Sequence, residues 1–434
     1  MDTKQKNKQI QIIMGLYTGA AFLLFLVFAV ARDGFPAAFA GFLNVLQMPA
    51  QMTLDYFKHA TVAGTFLNVG LVGLSTMLVF HFSGAKLNSG SLLAYFLTIG
   101  FSFFGMNFLN IWPCILGTLL FVVLTKEPVS AHANTAIFST ACAPFVSEMY
   151  FRYAPLGDNI VLRIVLGIAV GLFIGMMTPV LCKHGPNTHK GHTMYNAAYA
   201  VGMIAILLYS LMFKATGVEA PTNTDLGESI PVAVNGYALL TGLGGLIIGY
   251  FLEGKSFKNV PLIFKKTGYA SDLTAISPGL ALINISLFNL FMTAYYNIIG
   301  SSMTGPTLAA VVCALACAAG GGHILNMIPI IIGYAIASTF CTFSLTTQAI
   351  ILGLCYACAM TPMAGGYGPL VGIVAGLIHA VIVTQVVTFH NAFCFYNGGL
   401  TAFFVALMLG PVLDYFFEKD TEFHWNPIPK RKQK

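Results

Sequence analysis

Apolar residues run along this chain in long stretches, and polar positions gather between them. Ile12–Ala31, "IIMGLYTGAAFLLFLVFAVA", and Ile160–Cys182, "IVLRIVLGIAVGLFIGMMTPVLC", are two of the clearest runs. A bilayer span needs ~20 mostly apolar residues. A transmembrane β-barrel would instead alternate apolar and polar positions, and these runs are continuous. They predict segments near 10–31, 62–83, 91–106, 108–125, 133–150, 160–182 and 193–213. The connection 214–230, "KATGVEAPTNTDLGESI", is the most polar internal stretch. Further segments follow near 232–252, 278–299, 306–322, 324–341, 346–363, 367–388 and 393–414. Several are too short to cross, and read as half-helices or re-entrant hairpins. The expected fold is all-α and polytopic, with about 10–14 transmembrane or re-entrant segments.

Composition agrees. Of 434 residues 57% are hydrophobic and 8% charged, against about 25% charged in soluble domains. The net charge of +6 sits mainly in tails and loops. No basic–aromatic patch or zinc-finger spacing accompanies it, so no nucleic-acid partner is expected. The bilayer is the expected surrounding, and a homo-oligomer remains open. The start "MDTKQKNKQ" leads into an uncleaved first helix rather than a signal peptide.

Loop charges orient the chain by the positive-inside rule. Lys4, Lys6 and Lys8, the loop with Lys183 and Lys190, the loop with Lys255, Lys258, Lys265 and Lys266, and the terminal "KRKQK" read as cytoplasmic. The 214–230 connection carries Glu219, Asp225 and Glu228 against Lys214 and reads as external. The expected layout is a tail 1–9, a membrane unit 10–213, the external linker, a membrane unit 231–414 and a tail 415–434. Each unit then crosses an odd number of times, and the two have opposite orientation.

The units are also copies of one another. "FGMNFLNIWPCILG" matches "GGGHILNMIPIIIG", pairing Asn110 with Asn326, Pro113 with Pro329 and Gly117 with Gly333 at a shift of 216. The same shift pairs Asn68 with Asn284, Gly84 with Gly300 and Cys142 with Cys358; Pro144 pairs with Pro362 after two inserted residues. His189, Tyr195 and Asn196 of "THKGHTMYNAAY" pair with His390, Tyr396 and Asn397 of "FHNAFCFYNGGL" at a shift of 201. Duplication with odd crossings means inverted-topology repeats. Such repeats characterise secondary transporters, whose site lies at the repeat interface near interrupted helices.

The candidate chemistry follows from the interruptions. Segments broken near Gly105–Asn110 and Gly320–Asn326 free backbone groups, which membranes tolerate only in protein or beside water. Asn107, Asn110, His323 and Asn326 are therefore expected to face a solute, with Asn110 and Asn326 approaching a pseudo-two-fold axis. Capping of the helix ends is the structural alternative. Tyr195, Asn196, Tyr396 and Asn397 are expected either to line the site or to bond neighbouring helices. His189 and His390 are candidate gates at opposite faces, or capped, solvated histidines. Gly365 and Gly366 in "AMTPMAGGYGPLVG" would let backbone approach a permeant, or helices pack closely.

Other chemistry is sparse. His184, His189 and His192 cluster without an acid or cysteine to complete a metal set, so neither metal nor cofactor is expected. "CYAC" (Cys355–Cys358) has a redox spacing but no supporting residues, and the nine cysteines read as buried small hydrophobes. Glu148 and Asp414 are the only acids near span ends, where proton-coupled transporters usually keep carboxylates. A coupling ion, sodium or proton, stays open. Walker A, HExxH and GxSxG patterns are absent.

The H-x5-Y-N and L-N-x-x-P-x-x-x-G elements, each in two copies, resemble a bacterial family of duplicated integral membrane proteins of unknown function. More remotely, "MYNAAYAVGMIAI" and "FYNGGLTAFFVAL" look like the GYNAxLxG element of urea channels, with Met194 and Phe395 in place of its first glycine and a different half-length. That resemblance implies inverted repeats and a pore for a small neutral solute. The expected function is a transporter or channel for a small polar or anionic solute in a bacterial cytoplasmic membrane, not an enzyme. A membrane-embedded enzyme acting on a lipid and a non-transporting scaffold or sensor are the alternatives.

Overall fold

Helix length sorts the elements. In the computed structural model, which describes residues 2–52, 54–222, 227–269 and 271–432, the elements are helical and no strand is formed among these residues. Asp225 of the linker and the last two residues of the basic tail lie outside the described residues. The first repeat begins with α1 (Thr3–Phe28), α2 (Phe35–Gln47), α3 (Tyr56–His59) and α4 (Val62–Ser83). It continues with α5 (Ser89–Phe101), α6 (Ile111–Thr125), α7 (Val129–Ser139) and α8 (Ala143–Phe151). It closes with α9 (Ile160–Cys182), α10 (Gly185–His189) and α11 (Asn196–Tyr209).

The second repeat starts with α12 (Pro231–Leu252), α13 (Leu273–Ile276) and α14 (Pro278–Ile298). Next come α15 (Gly305–Ala318), α16 (Ile324–Ser338), α17 (Gln348–Ala357) and α18 (Thr361–Tyr367). Last are α19 (Pro369–Val386) and α20 (Asn397–Phe416). Nine helices among the described residues are long and apolar enough to cross a membrane. α5, α6, α15 and α16 are not. At 1.5 Å per residue a 13-residue helix such as α5 spans about 20 Å, short of the ~30 Å hydrocarbon core.

The short helices form re-entrant hairpins. α5 starts beside His189 and Lys190, with which Ser89 shares one cavity. α6 ends on the same face, where Glu127 pairs with Lys183 at 3.3 Å. The hairpin α5–α6 therefore enters and leaves on one side. α15–α16 does the same on the other: Ile230 N–H donates to Met303 O at 2.7 Å, and residues 302–304 and 346–349 line a common cavity. Both termini lie on the first face. Lys6 pairs with Asp272 at 3.8 Å, Lys265 with Glu422 at 3.6 Å, and Phe423 N–H donates to Lys265 O. α1 thus starts at the face of the termini and its counterpart α12 at the opposite one, as inverted repeats require.

Close packing repeats with the sequence. A Cβ on Gly171 would strike Pro113 and one on Gly175 would strike Cys114 O, which brings α6 against α9. Gly372 against Pro329 and Gly376 against Ile330 O do the same for α16 and α19. Gly84 and Gly300 end α4 and α14 with φ of +66° and +72°, a conformation that side chains disfavour. Lipid is as apolar as leucine, so the interior is held by packing and hydrogen bonds rather than by the hydrophobic effect. Val30, Phe82 and Ile298 are accordingly more than two-thirds exposed. Inside, His379 Nε2–H donates to Gly398 O at 2.8 Å while Nδ1 accepts from Tyr334 OH at 2.7 Å, tying α16, α19 and α20 together.

Candidate functional site: two vestibules around antiparallel half-helices

α5 and α15 lie side by side and antiparallel at the repeat interface. Gly100 permits this approach, since a Cβ there would collide with Cys313 Sγ. Each half-helix leaves its last carbonyls without an intrahelical donor, and the two copies solve this alike. Asn68 Nδ2 donates to Ser102 O at 2.9 Å and Met106 O at 3.0 Å; Asn284 Nδ2 donates to Ala318 O and Gly322 O, both at 2.7 Å. Tyr56 N–H donates to Phe103 O, and Leu273 N–H to Ala319 O. All five pairs of positions match at a shift of 216 or 217.

The breaks are closed the same way. Asn110 Nδ2 donates to Gly105 O and its Oδ1 accepts from Asn107 N–H; Asn326 Nδ2 donates to Gly321 O and its Oδ1 accepts from His323 N–H. Asn110 also reaches Ser147 Oγ at 2.9 Å, and Asn107 Nδ2 reaches Val45 O at 3.1 Å. His323 Nε2–H donates to Lys266 O at 2.8 Å. All four side chains are fully buried, and none lines either cavity described below. Asn110 and Asn326 bond only within their own repeats here. Across the repeat interface, Tyr195 and Tyr396 meet instead, with ring centroids 6.4 Å apart and planes within 11°. Phe101 packs on Tyr396 and Tyr356 on Tyr195, which makes a continuous aromatic septum.

A cavity lies on each side of this septum: Tyr356 and Asn397 line one, and Met194 and Asn196, which flank Tyr195 in the chain, line the other. On the face opposite the termini, about 580 Å³ is enclosed by Ser302, Thr304 and Thr307 of the α15 start, Thr346–Gln348, Tyr356, Thr384, Asn397 and apolar side chains including Ile351 and Val383. Among the described residues no charged side chain lines it. On the face of the termini, about 450 Å³ is lined by Ser89 and Gly90 of the α5 start, His189, Lys190, Thr193, Met194, Asn196, Tyr269 and Ser271. The α5 and α15 starts and the two Tyr–Asn asparagines are repeat-equivalent. The vestibules therefore share repeat-equivalent walls, although the segments at 346–353 and 383–384 enlarge only one of them.

Asn196 and Asn397 each line one vestibule and also hold a histidine. His189 Nε2–H donates to Asn196 Oδ1 at 2.6 Å, and His390 Nε2–H to Asn397 Oδ1 at 3.2 Å. The other ring nitrogens accept from Gly191 N–H and Cys394 N–H. His189 lines the vestibule on the face of the termini, whereas His390 is wholly buried behind Asn397. Burial pushes the His189 imidazole below its ordinary range against the opposing Asn196 bond, so it is neutral at pH 7. Gly365 and Gly366 sit in α18, pressed on Thr267 and Lys419; neither lines a cavity, although Pro362 of the same helix and Gly268 do. Among the described residues no group of three metal-ligating side chains is assembled.

One pair of residues escapes sequence reasoning. Asp55 Oδ1 accepts from Gly305 N–H at 3.2 Å, at the start of α15. Asp272 Oδ1 accepts from Ser89 Oγ at the start of α5. Each repeat thus offers a carboxylate to the N-terminus of the other repeat's half-helix, where the helix dipole favours negative charge. The acids stand 217 positions apart, one off the main register, ahead of the equivalent short helices α3 and α13. That near-match was the available signal.

The fold and its paired vestibules define a class: a multi-pass, all-α membrane protein of two inverted repeats with re-entrant hairpins. The chain belongs to a family described as a protein of unknown function, DUF1576, whose model matches residues 36–214 and 252–415. These two segments fall one on each repeat. No curated protein and no solved structure matches the chain.

Proposed function

We propose that the protein is a transporter or channel for a small polar solute, which passes between the two vestibules through the Tyr195–Tyr396 septum. One observation carries the proposal. Repeat-equivalent cavities approach the same barrier from opposite faces, as expected of a pathway closed at its centre. A packed scaffold has no need of two cavities placed alike in the two repeats. The larger vestibule is mostly apolar with hydroxyl and amide groups set into it, and among the described residues it has no charged side chain, which suits an uncharged solute or one of low charge density. Lys190 gives the other vestibule one cationic side chain that would also admit an anion, the α5 N-terminus beside it being already served by Asp272. The face with both termini carries Lys4, Lys6, Lys8, Lys183, Lys190, Lys265 and Lys266, which supports reading it as the cytoplasmic face under the positive-inside rule.

The test removes the barrier rather than guessing the solute. Full-length protein is reconstituted into liposomes, and stopped-flow light scattering follows swelling in urea, glycerol and acetamide. The double variant Tyr195→Ala/Tyr396→Ala is expected to swell at least several-fold faster than protein-free vesicles, and Tyr195→Phe/Tyr396→Phe to stay closed. A folded alanine variant as tight as protein-free vesicles for all three probes would sink the proposal.

A further inference from the structure

We infer that Asp55 is a proton-binding site, at which one proton taken up from the vestibule opposite the termini releases the N-terminus of α15. The chemistry stands on geometry; its use in coupling rests on the transport reading above. The two equivalent carboxylates are treated unequally. Asp272 is half-exposed to solvent and fully served: Ser89 Oγ and Thr274 Oγ1 donate to it, and Lys6 lies 3.8 Å away. Asp55 is wholly buried. Its Oδ1 accepts from Phe57 N–H at 2.9 Å and Gly305 N–H at 3.2 Å, while Oδ2 has no hydrogen-bond partner among the described residues.

The orphan oxygen faces the vestibule wall. Gly227 lines that cavity, and a Cβ on Gly227 would collide with Asp55 Oδ2. A proton placed on Oδ2 displaces no existing bond and removes a buried charge that two N–H groups and Lys58 compensate only in part, which is costly in a low-dielectric site. It also weakens the charge-assisted bond from Gly305 N–H, which is roughly twice as strong to an ion as to a neutral acceptor. The ionised acid therefore pins α15 to the start of α3, and the protonated acid loosens it. Burial drives the Asp55 carboxyl up to about 7, against the N–H groups of Phe57 and Gly305 and the field of Lys58. For Asp272, burial acts upward too, but Ser89, Thr274 and Lys6 together hold it below the usual carboxylate range. Lys58 and His59 follow Asp55 on α3, and Glu228 adjoins Gly227 in the linker. Arg32 and Asp33 line a small neighbouring cavity with Lys58 and Glu228. α2, the adjoining end of α4, the 102–110 break and the first turn of α15 carry no acid or base.

Infrared difference spectroscopy of the purified full chain, titrated from pH 5 to 9, reads the carboxylic-acid carbonyl band directly. A band that disappears with a midpoint near 7 is expected to be missing in Asp55→Asn and to persist in Asp272→Asn and in Glu148→Gln, which removes the other deeply buried acid. Deuterium exchange of residues 302–308, corrected for the intrinsic pH effect, is expected to be faster below the midpoint in the wild type and pH-independent in Asp55→Asn. If Asp55→Asn does not fold, Asp55→Glu shifts the band and its midpoint and serves in its place. A wild type with no titrating band, a band untouched by both Asp55 variants, or a midpoint that moves with sodium concentration overturns the inference, the last by making sodium the ligand. None of these readouts depends on solute movement, so a failed leak assay and a failed titration are separate results.

Discussion

At the residue scale, buried amides and imidazoles here serve first to satisfy backbone. Asn68, Asn284, Asn110 and Asn326 close the broken helices, and an unserved carbonyl or amide at that depth costs roughly 1–3 kcal/mol. Asp55 departs from that pattern, since one of its oxygens is left unserved. Its sign of pH dependence follows. An unfolded aspartate titrates near 3.9 and the native one near 7, so between these values the native state holds the extra proton. Stability should then fall as pH rises from about 4 to 7 and level off above, by an amount on the order of 4 kcal/mol. Asp55→Asn should flatten that slope, and denaturant unfolding of the detergent-purified protein at successive pH values measures it. Asp272, held low in pKa, contributes the opposite slope at more acidic pH.

At the element scale, the hairpins are built by subtraction. Glycine at 117 and 175, and at 333 and 376, lets α6 sink onto α9 and α16 onto α19. Overpacking a filled contact typically costs 1–3 kcal/mol, and sometimes more, so Gly333→Leu is expected to lower the thermal midpoint well below that of a lipid-facing change such as Ile336→Leu. A thermal-shift measurement compares the two. The repeat itself was legible in sequence because the matched asparagines, prolines and glycines are the residues that close and pack the breaks. Re-entrance was legible only as shortness: hydropathy counts apolar residues and does not say whether α5 and α6 turn back. The vestibules were hidden, because Thr304, Thr346, Thr384 and Asn397 come from four separated segments and look like ordinary loop or helix residues one at a time. Asp55 and Asp272 read as loop acids for the same reason.

At the scale of the whole molecule, the termini, the 253–277 loop and the C-terminal tail gather on one face, and the 215–222 and 227–230 stretches of the linker lie toward the other. Single cysteines at 5 and 428, in a background with exposed thiols removed, should therefore share one labelling pattern with a membrane-impermeant maleimide. A cysteine at 219 should show the reverse pattern in sealed, right-side-out vesicles.

On the transport reading proposed above, the inverted symmetry describes a second conformation. Letting each repeat adopt the present conformation of the other would exchange the roles of the two faces: the roomier cavity would open beside the termini and the narrower one away from them. The chain thus contains a template for its own alternative state, built from contacts it already makes. What separates the two states in energy is confined to positions where the copies differ, such as Lys190, Gly227 and the unequal settings of Asp55 and Asp272. Substitutions there shift the resting balance, whereas substitutions at matched positions act on both states together.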